Sequence, residues 1–229
     1  MSGSSTGTGR RRRQKGEALD RVVQELRDAI LAGRLEPGER IYQETIAAEC
    51  GTSRQPVREA LRRLENEGLV VTLPNAGARV ASLQSAELHE VYWLRERLEP
   101  AAIARSAELL SDEELAELRR LVEQMESIDA GKQTVRWLEI DQEFHWKALV
   151  AAALPRLDRI IDSLWNLAAP YRRAYATSAD PEVLELANVE HRLLLDALER
   201  RNGEDAAAVL AVHIRRTRLG LDELGQLQE

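Results

Sequence analysis

The 229-residue sequence predicts a mainly α chain in two parts: an N-terminal block of three helices with a short strand hairpin, then a C-terminal antiparallel all-α bundle of about six helices. Three observations carry this. Apolar residues recur at three- and four-residue steps over most of the chain. The strand pattern is confined to the few residues on either side of Pro74-Asn75-Ala76-Gly77. Breaks at Gly and Pro fall every 15–25 residues and leave loops of two to five residues, which favours antiparallel neighbours.

Residues 1–14 are small, polar and then basic, ending in Arg10–Arg13, and read as a disordered arm. From Lys15 the pattern is helical, with Leu19, Val22, Val23, Leu26 and Ile30 on one face and Gly33 as its stop. Pro37-Gly38 makes a turn. A short second helix carries Ile46, Ala47 and Cys50 and ends at Gly51. Thr52-Ser53 opens a third, Arg54 to Glu67, with Val57, Leu61 and Leu64 on its apolar face. Strands over 69–73 and 78–81 flank the hairpin tip. Three helices and a two-stranded wing within about 65 residues is the layout of a winged helix-turn-helix, placing a DNA-binding domain at 15–81.

After Ser82 the periodicity is helical only. The expected helices are 85–109, 111–129, 133–153, 155–178, 181–201 and 203–225, forming a helical domain over 82–229. No apolar run reaches the ~18 residues of a membrane span, so no membrane partner is expected. Cys50 alone excludes a disulfide framework, and with no secretory signal after the arginines a cytoplasmic location is expected.

Charge separates the two parts. The chain carries −7 overall, but residues 1–80 carry +3 and the remainder −10, so the two parts are expected to meet different partners. In a helix-turn-helix the second helix of the pair enters the major groove by its N-terminal residues, here Ser53, Arg54, Gln55 and Arg58. Arg reads guanine bidentately and Gln reads adenine, while Ser and free helix amides suit a phosphate. The Arg10–Arg13 run adds candidate phosphate or minor-groove contacts.

Three of the four histidines fall on apolar stripes of separate helices: His145, four residues after Asp141, then His191 and His213. A carboxylate on a buried face needs a partner. Three imidazoles with one carboxylate are a candidate set for Zn, Ni or another divalent metal, the alternative for each imidazole being a satisfied core histidine. His89 stands apart from them. Arg95 lies on the inward stripe Leu88, Val91, Leu98, Ala102, where it meets either an internal carboxylate or a carboxylate ligand. Tyr92, Trp165, Tyr171, Arg172 and Tyr175 are candidate pocket walls.

The stretches Leu35-Glu36-Pro37-Gly38-Glu39-Arg40 and Ser53-Arg54-Gln55-Pro56-Val57-Arg58-Glu59-Ala60-Leu61-Arg62-Arg63-Leu64-Glu65-Asn66-Glu67-Gly68-Leu69-Val70 resemble the GntR family of bacterial transcription regulators. The helical part resembles the FCD effector domain of its FadR-type subfamily, in the shorter six-helix, VanR-like form, and together the two cover about residues 15–220. The resemblance implies a homodimer, most often a repressor, on a palindromic double-stranded DNA operator. It implies DNA contacts at Ser53, Arg54, Gln55 and Arg58 and, from the wing, at Asn75 and Gly77. It implies metal ligation by Asp141, His145, His191 and His213, and binding of a small organic or sugar acid near Arg95 and Tyr92. Four departures stand out: Gln55 where Thr is usual, Ala76 where the wing often has Arg, Glu44 where some relatives have Arg, and Leu154 near a usual Asn. The alternative is a metal-dependent hydrolase or lyase using the same Asp/His set, which leaves the N-terminal part unexplained and offers no further general base. A winged helix that binds protein instead of DNA is a third reading.

Overall fold

The computed structural model describes residues 6–73, 77–129 and 131–223, with side chains from residue 16 onward. The chain divides into two compact units, Met1–Ser82 and Leu83–Glu229.

The first unit is built from α1 (Thr6–Leu31), β1 (Arg40–Ile41), α2 (Gln43–Glu49), α3 (Arg54–Asn66), β2 (Val70–Leu73) and β3 (Gly77–Val80). Helix α1 packs on α3, and the face read from periodicity is the buried one: Val22, Leu26 and Ile30 meet Val57, Leu61 and Leu64 in one core. Arg27 fastens the two helices, donating to both oxygens of Glu67 at 2.7–3.2 Å. The turn between α2 and α3 depends on Gly51, whose φ of +59° lies where a side chain is strained. The Thr52 amide then reaches back to the Ala47 carbonyl at 2.8 Å.

Two features differ from expectation. The wing is three-stranded, in the antiparallel order β1-β3-β2 with Arg40 opposite Arg79 and Leu73 opposite Gly77. Two-residue β1 is too short to show alternation, so its pairing comes from tertiary contact. The helical backbone of α1 begins at Thr6, inside the stretch read as an arm over 1–14. Arg and Gln are good helix formers, and the polar run extends the helix without an apolar stripe. Asn75 and the rest of the hairpin tip lie outside the described residues.

The second unit contains α4 (Ser85–Leu109), α5 (Asp112–Ser127), α6 (Thr134–Val150), α7 (Pro155–Ser178), α8 (Pro181–Glu199) and α9 (Gly203–Glu223). Their starts are chemically marked. Ser111 and Glu114 form a capping box at α5, and Pro155 and Pro181 occupy first helical positions. The first and last helices, α4 and α9, make the broadest contact; α5 packs on α6 and α8, and α6 on α7. At the start of α9 a Cβ on Gly203 would stand 2.4 Å from the Ala104 carbonyl oxygen, so glycine is what lets α9 close on α4. Among the described residues no helix is long and apolar enough to cross a membrane.

Candidate metal centre and DNA-facing helix

Helix α6 brings Asp141 and His145 onto one face, α8 brings His191 and α9 brings His213. The apolar stripe of each helix is drawn into the core and carries its polar residue with it. Asp141, His145 and His191 are almost wholly buried. One ligand atom from each of the four residues lies within 4.8 Å of every other. The three imidazole centroids form a near-regular triangle of 4.9–5.0 Å.

His145 Nε2 and His191 Nε2 face each other at 3.1 Å, and both face Asp141 Oδ1, at 3.5 and 3.1 Å. Donors that share one ion at bonds of about 2.0–2.2 Å lie about 2.8–3.6 Å apart, from octahedral to tetrahedral geometry, so these three converging atoms have the spacing of a ligand set. His213 donates from Nδ1 to Glu190 Oε2 at 2.7 Å, which leaves Nε2 as its ligand atom. Glu190 is held in turn by Arg216, whose Nε and Nη2 reach its two oxygens at 2.7 and 2.6 Å. The buried Nδ1 atoms of His145 and His191 have no hydrogen-bond partner among the described residues.

Electrostatics keep the set ready for a cation. Burial pushes the His145 and His213 imidazoles down to about 4 and about 3, so both are neutral at pH 7. Burial works against the Asp141 carboxylate, but the adjacent Arg172 charge and the bonds from His145 and His191 outweigh it and hold its pKa well below the usual range. For Glu190, bonds from His213 and Arg216 likewise overcome burial and bring it to about 2.

A cavity of about 40 Å³ opens beside the set, walled in part by Arg95, Trp137, Asp141, Trp165, Arg172 and His213. That is room for an ion and a few waters. Arg95 faces it as the sequence suggested, but not as a free cation. Its Nε donates to the buried Glu99 at 2.6 Å, Trp165 donates to the same oxygen at 3.0 Å, and its buried Nη1 lacks a partner among the described residues. Arg95 and Arg172 both stack on the Trp165 ring, at 4.7 and 4.3 Å. Tyr92 is fully buried, 5.0 Å from the Arg95 guanidinium, and is not among the residues that wall this cavity. Tyr171 is likewise engaged elsewhere, bonded to the Leu83 backbone. His89 pairs with Asp222 at 3.4 Å, apart from the set.

Sequence reasoning missed Glu99, Glu190 and Arg216, and placed Arg172 only as a wall. Glu99 carried a signal, standing four residues after Arg95 on the same face. Glu190 stood next to His191, but which histidine it would serve depends on α8 packing on α9.

In the first unit, Ser53 is the N-cap of α3, and its side chain makes no capping bond. Ser53, Arg54, Gln55 and Arg58 are all exposed on the leading turns. Arg54 forms a close ion pair with Glu44 of α2, and Gln55 donates to Glu59 at 3.3 Å. Gly77 opens β3 with φ +84°, at the base of the wing tip.

Comparison with known proteins agrees with both units. Residues 18–80 match the model for bacterial regulatory proteins of the gntR family, and residues 90–216 match the FCD domain. The chain is 32% identical over 183 residues to the Nta operon transcriptional regulator of Aminobacter aminovorans, covering 79% of this chain and 83% of that protein. It is 27% identical over 193 residues to the HTH-type transcriptional repressor RspR of Escherichia coli strain K12, covering 82% of each. The solved structure of E. coli McbR/YncC superposes with a TM-score of 0.79 at 26% identity, covering 90% of this chain and 98% of that one. A winged helix-turn-helix of this type joined to an FCD bundle identifies the chain as a member of the GntR family of bacterial transcription regulators.

Proposed function

We propose that this regulator is a repressor that binds a palindromic operator as a homodimer and releases it when a small organic or sugar acid binds beside a divalent metal, Zn or Ni. The observation that carries this is the convergence of Asp141, His145, His191 and His213 on one buried point at the wall of a cavity that also presents Arg95 and Arg172. A bound metal would supply a Lewis-acidic anchor for a carboxylate. The chain's own residues orient the donors, exclude water and offer guanidinium nitrogen to the rest of the acid.

The cavity takes only an ion and a few waters, so a larger acid requires it to widen. A ligand that binds the widened conformation better shifts the population toward it. If DNA favours the other conformation, release follows by linkage, and 10–100-fold release needs about 1.4–2.8 kcal/mol of coupling. Operator contacts are assigned to Ser53, Arg54, Gln55 and Arg58, with Asn75 and Gly77 of the wing. Two half-sites supply the affinity that one recognition helix lacks. The repressor reading is supported by the relative named repressor RspR, and the cytoplasm is the compartment where such a regulator meets its operator.

The test is elemental analysis of protein purified without chelator, followed by operator-release titrations with and without the metal. About one Zn or Ni per chain, with release by acids only in the metal-loaded protein, is the expected result. No metal bound or taken up would refute the metal-anchored mechanism and leave the family assignment standing.

A further inference from the structure

Glu44 lies in the first turn of α2, and its carboxylate grips Arg54 Nη2 at the start of α3. Both side chains are strongly exposed, at 72% and 68%. An ion pair so open to water contributes little to stability. Its location gives it another meaning. The leading edge of α3 is the face assigned to DNA, and a carboxylate there is repelled by every phosphate on any duplex.

The geometry offers a return for that repulsion. A guanidinium presents five N–H donors in a planar fork, and guanine is read by two of them held parallel toward O6 and N7. A free Arg reaches any nearby phosphate as readily as a base edge. With Nη2 tied to Glu44, the Arg54 fork is held at one end and keeps donors to spare for a base. Arg58, one turn later, is exposed and has no ion-pair partner among the described residues. The two arginines of the same edge are therefore in different states before DNA arrives.

We propose that Glu44 is a specificity-determining residue: it orients Arg54 toward a base edge and, by its charge, weakens binding to non-operator DNA. This rests on the reading of Arg54 as a DNA contact. It predicts two separable effects, one on sequence preference at the base pair that Arg54 reads and one on affinity for any sequence. Glu44 also sits favourably for the α2 dipole, a purely structural role that would alter neither.

The full-length wild type, Glu44→Ala, Glu44→Gln and Arg54→Ala are each used to select sites from a random duplex pool. Affinity is then measured for the selected site and for random duplex at two salt concentrations, with Tm recorded for each variant. Both Glu44 variants are expected to bind random duplex several-fold more tightly at low salt, since one like charge is removed. Glu44→Ala is expected to lose about tenfold of discrimination at the same base pair that Arg54→Ala loses, at near-wild-type Tm. Undiminished discrimination in Glu44→Ala, or loss at a different base pair from Arg54→Ala, overturns the proposal alone. If Arg54→Ala selects the wild-type site with wild-type affinity, the DNA role of Arg54 fails and the proposal fails with it.

Discussion

The leading edge of α3 and the Asp/His cluster of α6, α8 and α9 both concentrate charge and hydrogen-bonding capacity, under opposite conditions. On α3 the groups stand in water, held singly or by one exposed neighbour, as Arg54 is by Glu44. In the bundle Asp141 is buried between Arg172, His145 and His191, and each further member is tied to the next, His213 to Glu190 and Glu190 to Arg216. The exposed edge can change without cost to the fold, because water replaces any lost partner. The buried set cannot, because each member is what makes its neighbour's burial tolerable. The proposed DNA-reading edge and the proposed ligand pocket are thus separated by how much stability each residue controls.

The sharpest break in that comparison is Asp141→Ala against Arg58→Ala. Removing Asp141 leaves the Arg172 guanidinium beside the cavity without its carboxylate, and about 3–5 kcal/mol of stability should be lost. Arg58→Ala should stay within about 0.5 kcal/mol of wild type while operator affinity falls. Urea denaturation of the two variants measures the contrast, and equal stabilities would erase the distinction drawn between the regions.

A smaller effect separates layers within the buried set. Glu190 stands outside the four clustered donors but fixes His213 through Nδ1. Glu190→Ala should weaken metal affinity by about 10–100-fold, as loss of an outer-shell partner does. Glu190→Gln, which keeps an acceptor for Nδ1, should weaken it less. Competition against a chromogenic chelator reads both, and a wild-type affinity in the Ala variant would detach Glu190 from the site.

The buried set also differs from the exposed edge in its pH dependence. His145 and His213 have folded-state pKa values of about 4 and about 3, below the ~6.5 of an unfolded chain. Between pH 6.5 and 4 the unfolded state therefore binds more protons, and stability falls as pH falls. The slope is at most about 1.4 kcal/mol per pH unit for each imidazole. Metal-free protein should show its Tm declining from pH 7 to 5, and a flat profile would contradict the burial of neutral imidazoles.

Much of this was legible in the sequence, for identifiable reasons. Helix limits were marked by Gly51, Ser111, Pro155 and Pro181, residues whose backbone or capping chemistry acts locally. The four positions that cluster were legible because a polar residue on an apolar stripe is conspicuous in one dimension. What was not legible depends on contacts between distant segments. Strand β1 exists only because β3 pairs with it, and Glu190 serves His213 only because α8 lies on α9. Arg172 illustrates the same limit: its helix and inward side were readable, but its pairing with Asp141 required the packing of α6 on α7.

Trp165 has one further consequence. Its indole nitrogen is pinned to Glu99, its ring carries Arg95 and Arg172, and the His145 ring centroid lies 5.6 Å away. Trp137, bonded to Asn188, borders the same cavity. The molecule thus carries two built-in optical reporters fixed at the cavity proposed to bind the ligand. An ion or acid that disturbs either guanidinium changes the electric field across the indole, so emission wavelength and intensity follow occupancy in unlabelled protein. Screening for the natural effector can proceed by light alone, before any operator sequence is known.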